Sequence, residues 1–344
     1  MVGSFLERGA AAATWVGAVV VAVVLLALMV TVAFPARDAP PLPAMAPSLS
    51  PVGGSGLVGA TGVWQDACSP GGAARLADPP EPAEDQTYRD PHALSQEEAA
   101  ELDRQLRQAA PERIPEQHGA RTIPVVLHVV ADTDGTGELS RDTVQEQVTV
   151  LNDAFSGAYG GFDTGFRFSL REVTRTTDDA WFHRFAANER EVKRELRVGG
   201  PEVLNIYSTR LGAGVLGRST FPQDYAERPY NDGVVIDHRS VPGGAHTNFD
   251  LGHTATHEVG HWLGLFHTFQ NGCAYPGDYV ADTPYERIQA TGCPEGRNTC
   301  PHRWGTDPVH NFMNYSDDAC MSEFTAGQAH RMAMAWYAFR DPVG

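Results

Sequence analysis

The reading turns on the stretch His257-Glu258-Val259-Gly260-His261-Trp262-Leu263-Gly264-Leu265-Phe266-His267, preceded by Thr256. On an α-helix, residues four apart stand one turn above each other, so His257 and His261 aim two imidazoles at one point, which is metal-ligand spacing. Glu258 projects beside that point, within reach of a water held there without itself being a ligand. Val259, Trp262 and Leu263 fall on the opposite side and are expected in the core. Gly264 can take the left-handed conformation that ends a helix and turns the chain back, which lets His267 return as a third ligand. Three protein ligands leave the fourth position of a tetrahedral zinc open, as a catalytic rather than a closed structural site requires. The bland alternative, a helix with scattered surface histidines, does not account for five fixed positions in one short stretch.

Downstream stands Asn311-Phe312-Met313-Asn314-Tyr315-Ser316. Together with the HExxHxxGxxH pattern it resembles the zinc motif and Met-turn of the metzincin peptidases. Gly277-Asp278, Asp282-Thr283-Pro284, Cys320-Met321 and Phe324-Thr325-Ala326-Gly327-Gln328 narrow the likeness to the pappalysin family, in its shorter cytophagalysin-like or ulilysin-like branch. The likeness covers roughly Arg121 to Met334. It implies a zinc-dependent endopeptidase acting on protein or peptide substrates through a zinc-activated water. His257, His261 and His267 would be the ligands, Glu258 the general base, Met313 the Met-turn residue, and Tyr315 a group near the metal that stabilises the tetrahedral intermediate.

The resemblance also implies the bridges Cys273 to Cys300 and Cys293 to Cys320. Calcium is expected in the same loop region, where Asp278, Asp282 and the Thr283 carbonyl offer hard oxygen ligands. Several relatives prefer a basic residue just after the scissile bond, and Asp317 or Asp318 could supply the matching charge. Ala319, immediately before Cys320, argues instead that the acidic specificity residue is missing. Asn314-Tyr315-Ser316 fits a glycosylation sequon, but a glycan there would sit under the metal, so the match is discounted.

Around this centre the chain reads as α+β, a mixed sheet with long helices. Thr122 to Ala131 is the first strong strand, Arg141 to Phe155 has helical apolar spacing, and Phe166 to Thr174, Val203 to Ser208 and Gly233 to Asp237 read as further strands without a clean βαβ rhythm. Gly212-Ala213-Gly214-Val215-Leu216-Gly217 matches a dinucleotide-loop spacing, but Pro222 follows too soon for the helix such a loop must open, so it is read as a glycine-rich surface loop.

Three regions are expected: 1–36 as a signal peptide or signal anchor, 37–120 as a flexible tether and pro-segment, and 121–344 as the catalytic domain. The apolar run from Gly9 to Phe34 is long for a signal peptide and long enough to span a bilayer, so a cleaved signal and an uncleaved anchor both fit. Either exports the remainder, giving a secreted domain or one held outside a membrane. Within the second region, Ser95 and Glu98 form a capping box that starts a polar helix closed by Pro111. The interval from Arg113 to Arg121 is the expected activation linker.

The chain has five cysteines, and an oxidising compartment favours bridges among Cys273, Cys293, Cys300 and Cys320, in three conceivable pairings. Cys68 is left over. As a thiolate it could fill the open metal position and keep a precursor latent, although Ala67-Cys68-Ser69-Pro70 lacks the Cys-Gly of such switches. A formal charge of -17 excludes a nucleic-acid surface, which needs clustered Lys and Arg. A catalytically silent binding protein and a cell-wall amidase are the rival classes; intact Glu258 opposes the first, and Gly264, His267 and the Met-turn oppose the second.

Overall fold

The computed structural model describes residues 73–76, 94–114, 120–212 and 214–341. The apolar N-terminal segment and Cys68 lie outside them, and among the described residues no helix is long and apolar enough to cross a membrane.

The centre of the molecule is a six-stranded mixed sheet. Its strands are β1 (Ala73–Leu76), β2 (Arg121–Ala131), β3 (Phe166–Thr177), β4 (Leu204–Thr209), β5 (Val215–Ser219) and β6 (Val234–Asp237), in the spatial order β1-β5-β6-β4-β2-β3. β3, β2, β4 and β6 are mutually parallel, whereas β5 and then β1 are antiparallel to their neighbours. A parallel sheet must be covered on both faces, and this one is. On one face Ile123, Val125, Leu127 and Val129 pack with α2 (Arg141–Ser156) and α5 (His253–Trp262). On the other, Val130, Tyr207 and Val235 pack against Phe182 of α3 (Asp179–His183) and Phe185 and Val192 of α4 (Phe185–Leu196).

The expected helices and strands form within a few residues of their read limits, and the Ser95–Glu98 capping box starts α1 (Gln96–Ala109). α1 is docked on the body: Ala99 and Leu102 join Phe221 and Phe266 in a small core, and Asp103 pairs with buried Arg331 at 2.6 Å. Sequence reading missed α3, α4, β1, β5 and the C-terminal helix Ala326–Ala335. The glycine-rich loop reading of 212–217 is corrected in part, since 215–219 is strand β5, and no phosphate-binding helix follows it. β1 escaped because a four-residue strand inside a Pro- and Gly-rich region has too few alternating positions to register as periodicity.

α6 (Ala326–Ala335) continues into a π turn, Trp336–Arg340, that closes the bottom of the core. There Arg340 lies 3.5 Å over the Trp262 ring and pairs with Asp232 at 3.0 Å, which pins the C-terminal end of α5. The disulfides Cys273–Cys300 and Cys293–Cys320 tie down the long loops between α5 and α6.

Candidate active site

α5 carries the site. It is buried along its whole length, so its polar side chains must find partners within the protein. Gly264, at φ 92°, ends it, with the Gly264 and Leu265 N–H groups donating back to the His261 and Gly260 carbonyls. That turn returns His267 beneath the helix.

The three imidazole Nε2 atoms converge: His257 to His261 is 3.0 Å, His261 to His267 3.0 Å, and His267 to His257 3.2 Å. His257 donates its Nδ1–H to the Phe312 carbonyl at 2.7 Å, and His261 donates its own to the Leu265 carbonyl at 2.8 Å. Carbonyls only accept, so both neutral rings present bare Nε2 lone pairs to each other. Burial holds all three rings neutral: His261 is pushed down to about 4, and His257 and His267 well below the usual imidazole value, with the neighbouring imidazoles adding to desolvation at those two. Three Nε2 atoms meeting at this spacing fit a tetrahedral zinc, whose nitrogen ligands stand about 3.3 Å apart for bonds of about 2.0–2.1 Å. The carbonyl partners fix tautomer and ring orientation as such ligands require.

Met313 lies directly under α5. A Cβ on Gly260 would stand 2.4 Å from its sulfur, so only glycine between the two helix histidines lets the Met-turn approach. Tyr315 packs edge-on against His267, with ring centroids 4.9 Å apart. Asn314 is fully buried and bonds Glu286, so no glycan can attach there. Glu286 also accepts from Thr268 at 2.7 Å and pairs with Arg297, which braces the Met-turn against the segment after His267.

β1 crosses this site. Its Arg75 amide N–H donates to Glu258 Oε1 at 3.2 Å, and the Tyr315 hydroxyl donates to the Ala74 carbonyl. The Arg75 side chain is fully buried in a pocket: it meets Asp318 at 3.0 Å and the Ser316 carbonyl at 2.8 Å, with the Phe249 ring 5.1 Å away. Asp318, two residues before Cys320, points into the pocket, and its second oxygen accepts from the Leu251 and His253 amides, which ties the pocket to the start of α5. Gly217 of β5 faces Arg75 across the ladder, and a Cβ there would fall 2.7 Å from Glu258 Cγ. Sequence reading missed Arg75 and Gly217, which become legible only once β1 and β5 are paired.

The calcium candidates are held in different ways. Asp278 is buried, and burial pushes its carboxyl up to about 8 against the pull of the Val280 amide and the Thr283 hydroxyl; its Oδ2 has no partner at hydrogen-bond distance. Asp282 instead caps α6, accepting from the Thr325 hydroxyl and the Gly327 amide, each at 2.8 Å.

Comparison with known proteins adds to this geometry. The peptidase family described as pregnancy-associated plasma protein-A matches residues 218–336. An extracellular metalloprotease of Coccidioides posadasii is 44% identical over 223 residues, 63% of this chain and 78% of that one.

The chain belongs to the pappalysin family.

It is a zinc metalloendopeptidase, a hydrolase, with the mixed α+β metzincin fold. A second relative, an extracellular metalloprotease of Verticillium alfalfae, is 43% identical over the same shares of the two chains. Among solved structures, mature mirolysin of Tannerella forsythia with a cleaved peptide is 30% identical, with a TM-score of 0.56, covering 66% of this chain and all of that one. A promirolysin variant from the same organism is 28% identical, with a TM-score of 0.61, covering 70% and 87%. The curated relatives are named as extracellular, and this pappalysin is accordingly an exported protein.

Proposed function

We propose that this pappalysin hydrolyses peptide bonds on the amino side of basic residues, with His257, His261 and His267 holding one zinc and Glu258 as general base. The observation that supports it most is the convergence of the three Nε2 atoms beside Glu258, in a cleft already crossed by an extended strand. Zinc, when bound there, supplies Lewis-acid chemistry, lowering the pKa of a water towards about 7. Glu258 accepts a proton from the attacking water and afterwards delivers it to the leaving amine, a role its hydrogen bond to a backbone N–H in the cleft supports. Tyr315 donates to the carbonyl oxygen as negative charge develops on it. Met313 keeps the floor of the site in place. Asp318 selects a guanidinium or ammonium group just after the scissile bond, since a buried carboxylate without a cation is costly. The peptide found with mirolysin is consistent with an extended peptide as substrate.

The test is metal content together with casein hydrolysis by the whole chain, with and without chelator. One equivalent of zinc and chelator-sensitive cleavage are expected; folded protein without zinc would sink the assignment.

Two subsidiary readings accompany it. A calcium ion beside Asp278 and Thr283, with Asp282 nearby in sequence, would relieve the orphaned Asp278 Oδ2; this is the oxygen the geometry favours, since Asp282 is engaged at α6. A calorimetric titration with no calcium binding, and a melting temperature indifferent to chelator-controlled calcium, would dispose of it. Cys68 as a latency ligand lies outside the described residues; a Cys68→Ser precursor as latent as the parent would end that idea.

A further inference from the structure

The strand in the cleft is aligned like a substrate about to be cut. β1 runs antiparallel to the edge strand β5, with Ala74 opposite Arg218 and Arg75 opposite Gly217, which is how an extended peptide adds to a sheet edge. The peptide bond between Ala74 and Arg75 then has each end in the right place. Its carbonyl oxygen receives the Tyr315 hydroxyl, its nitrogen touches the Glu258 carboxylate, and the side chain that follows fills the acidic pocket down to Asp318. An inhibitory strap needs only to block the cleft. Here the oxyanion donor, the proton carrier and the specificity pocket all address the two sides of one bond.

We infer that Ala74–Arg75 is a self-cleavage site, cut by the chain's own active site. In the step, water adds through oxygen to the Ala74 carbonyl carbon as Glu258 takes one of its protons. The C–N bond breaks as Glu258 returns that proton to the Arg75 nitrogen, and the second proton of the water then passes from the new Ala74 carboxylic acid, through Glu258, to the same nitrogen. The products are an Ala74 carboxylate and an Arg75 ammonium, and Glu258 is a carboxylate again. Water is the only reagent consumed. The cut separates residues 1–74, which include the apolar run from Gly9 to Phe34, from the catalytic body and leaves the cleft free to exchange its occupant. It lies well upstream of the linker between Arg113 and Arg121.

The inference rests on the peptidase reading, and the experiment keeps the two apart. The full chain is loaded with zinc, incubated over a hundredfold range of protein concentration, and followed by intact mass and N-terminal sequencing, beside an added peptide carrying arginine after its scissile bond. A new N-terminus at Arg75, formed at a rate independent of concentration and absent in Glu258→Ala, is expected. Arg75→Lys should retain the cut and Arg75→Gln should slow it at least tenfold. Hydrolysis of the added peptide with the chain left whole, or equal cutting in Glu258→Ala, overturns self-cleavage and leaves the peptidase reading standing. Failure on both substrates overturns both. Binding gives a second readout without turnover: in the Glu258→Ala protein, the same peptide should bind at least tenfold tighter when Arg75→Ala is added. Equal binding would mean that the strand does not hold the cleft, and would also overturn the inference.

Discussion

Replacing Asp318 with Asn isolates the charge that fills the specificity pocket. Both side chains of the Arg75–Asp318 pair are fully buried, 3.0 Å apart. Removing one partner of a buried, hydrogen-bonded charge pair costs about 2–5 kcal/mol. The low end applies here, because the Ser316 carbonyl still accepts from the guanidinium at 2.8 Å and Asn keeps one oxygen that can go on accepting from the Leu251 and His253 amides, while its NH2 takes the place of the oxygen that faced Arg75. About 2–3 kcal/mol at 1.4 kcal/mol per decade is a loss of roughly 30- to 150-fold. The assay is kcat/KM on two quenched peptides that differ only in arginine or leucine after the scissile bond. The arginine-to-leucine ratio should fall by that factor while the leucine peptide changes little. An unchanged ratio would refute the reasoning, since the pocket would then draw its selectivity from somewhere other than Asp318.

Glu258→Ala should keep about one equivalent of zinc and lose about 10²- to 10⁴-fold in kcat, the usual contribution of a general base, as elemental analysis beside a peptide assay would check. Gly217→Ala puts a Cβ 2.7 Å from Glu258 Cγ and 2.8 Å from its Oε1, so the base must move; a kcat loss of about 10²-fold with zinc retained is expected, and unchanged kcat would show that the carboxylate has slack. Burial pushes Glu286 up to about 7 against the pull of Thr268, Arg297 and Asn314. Because the folded state holds this proton more tightly than the unfolded chain, its contribution is full below about 4.5 and is lost as pH rises through about 7, worth about 3 kcal/mol at 1.36 kcal/mol per unit. Urea denaturation at pH 4.5 and pH 8 should show that decline reduced in Glu286→Gln, and equal declines in the two proteins would exclude Glu286 as its source.

The histidine cluster was legible because its information is local. His257, Glu258, His261, Gly264 and His267 span three helical turns, and the helix period and one glycine turn bring them together without any knowledge of the rest of the chain. Strands β2, β4 and β6 were legible for a similar reason, since a buried strand writes its environment into consecutive residues.

What occupies the cleft was not local. Arg75 meets Glu258 across 183 residues and Asp318 across 243, and nothing in Ala73-Ala74-Arg75-Leu76 announces either partner. The role of Asp318 is hidden in the same way: beside Ala319 and Cys320 it is one acidic residue among many, and only burial against a guanidinium gives it a function. Gly260 and Gly217 likewise read as unremarkable glycines until Met313 and Glu258 arrive within a Cβ's reach. Sequence by itself determined the histidine cluster and the glutamate beside it, because these residues lie within one helix and its turn. Tertiary structure alone decided which bond that chemistry faces, because pairing between distant strands is set by long-range packing rather than by any short-range pattern.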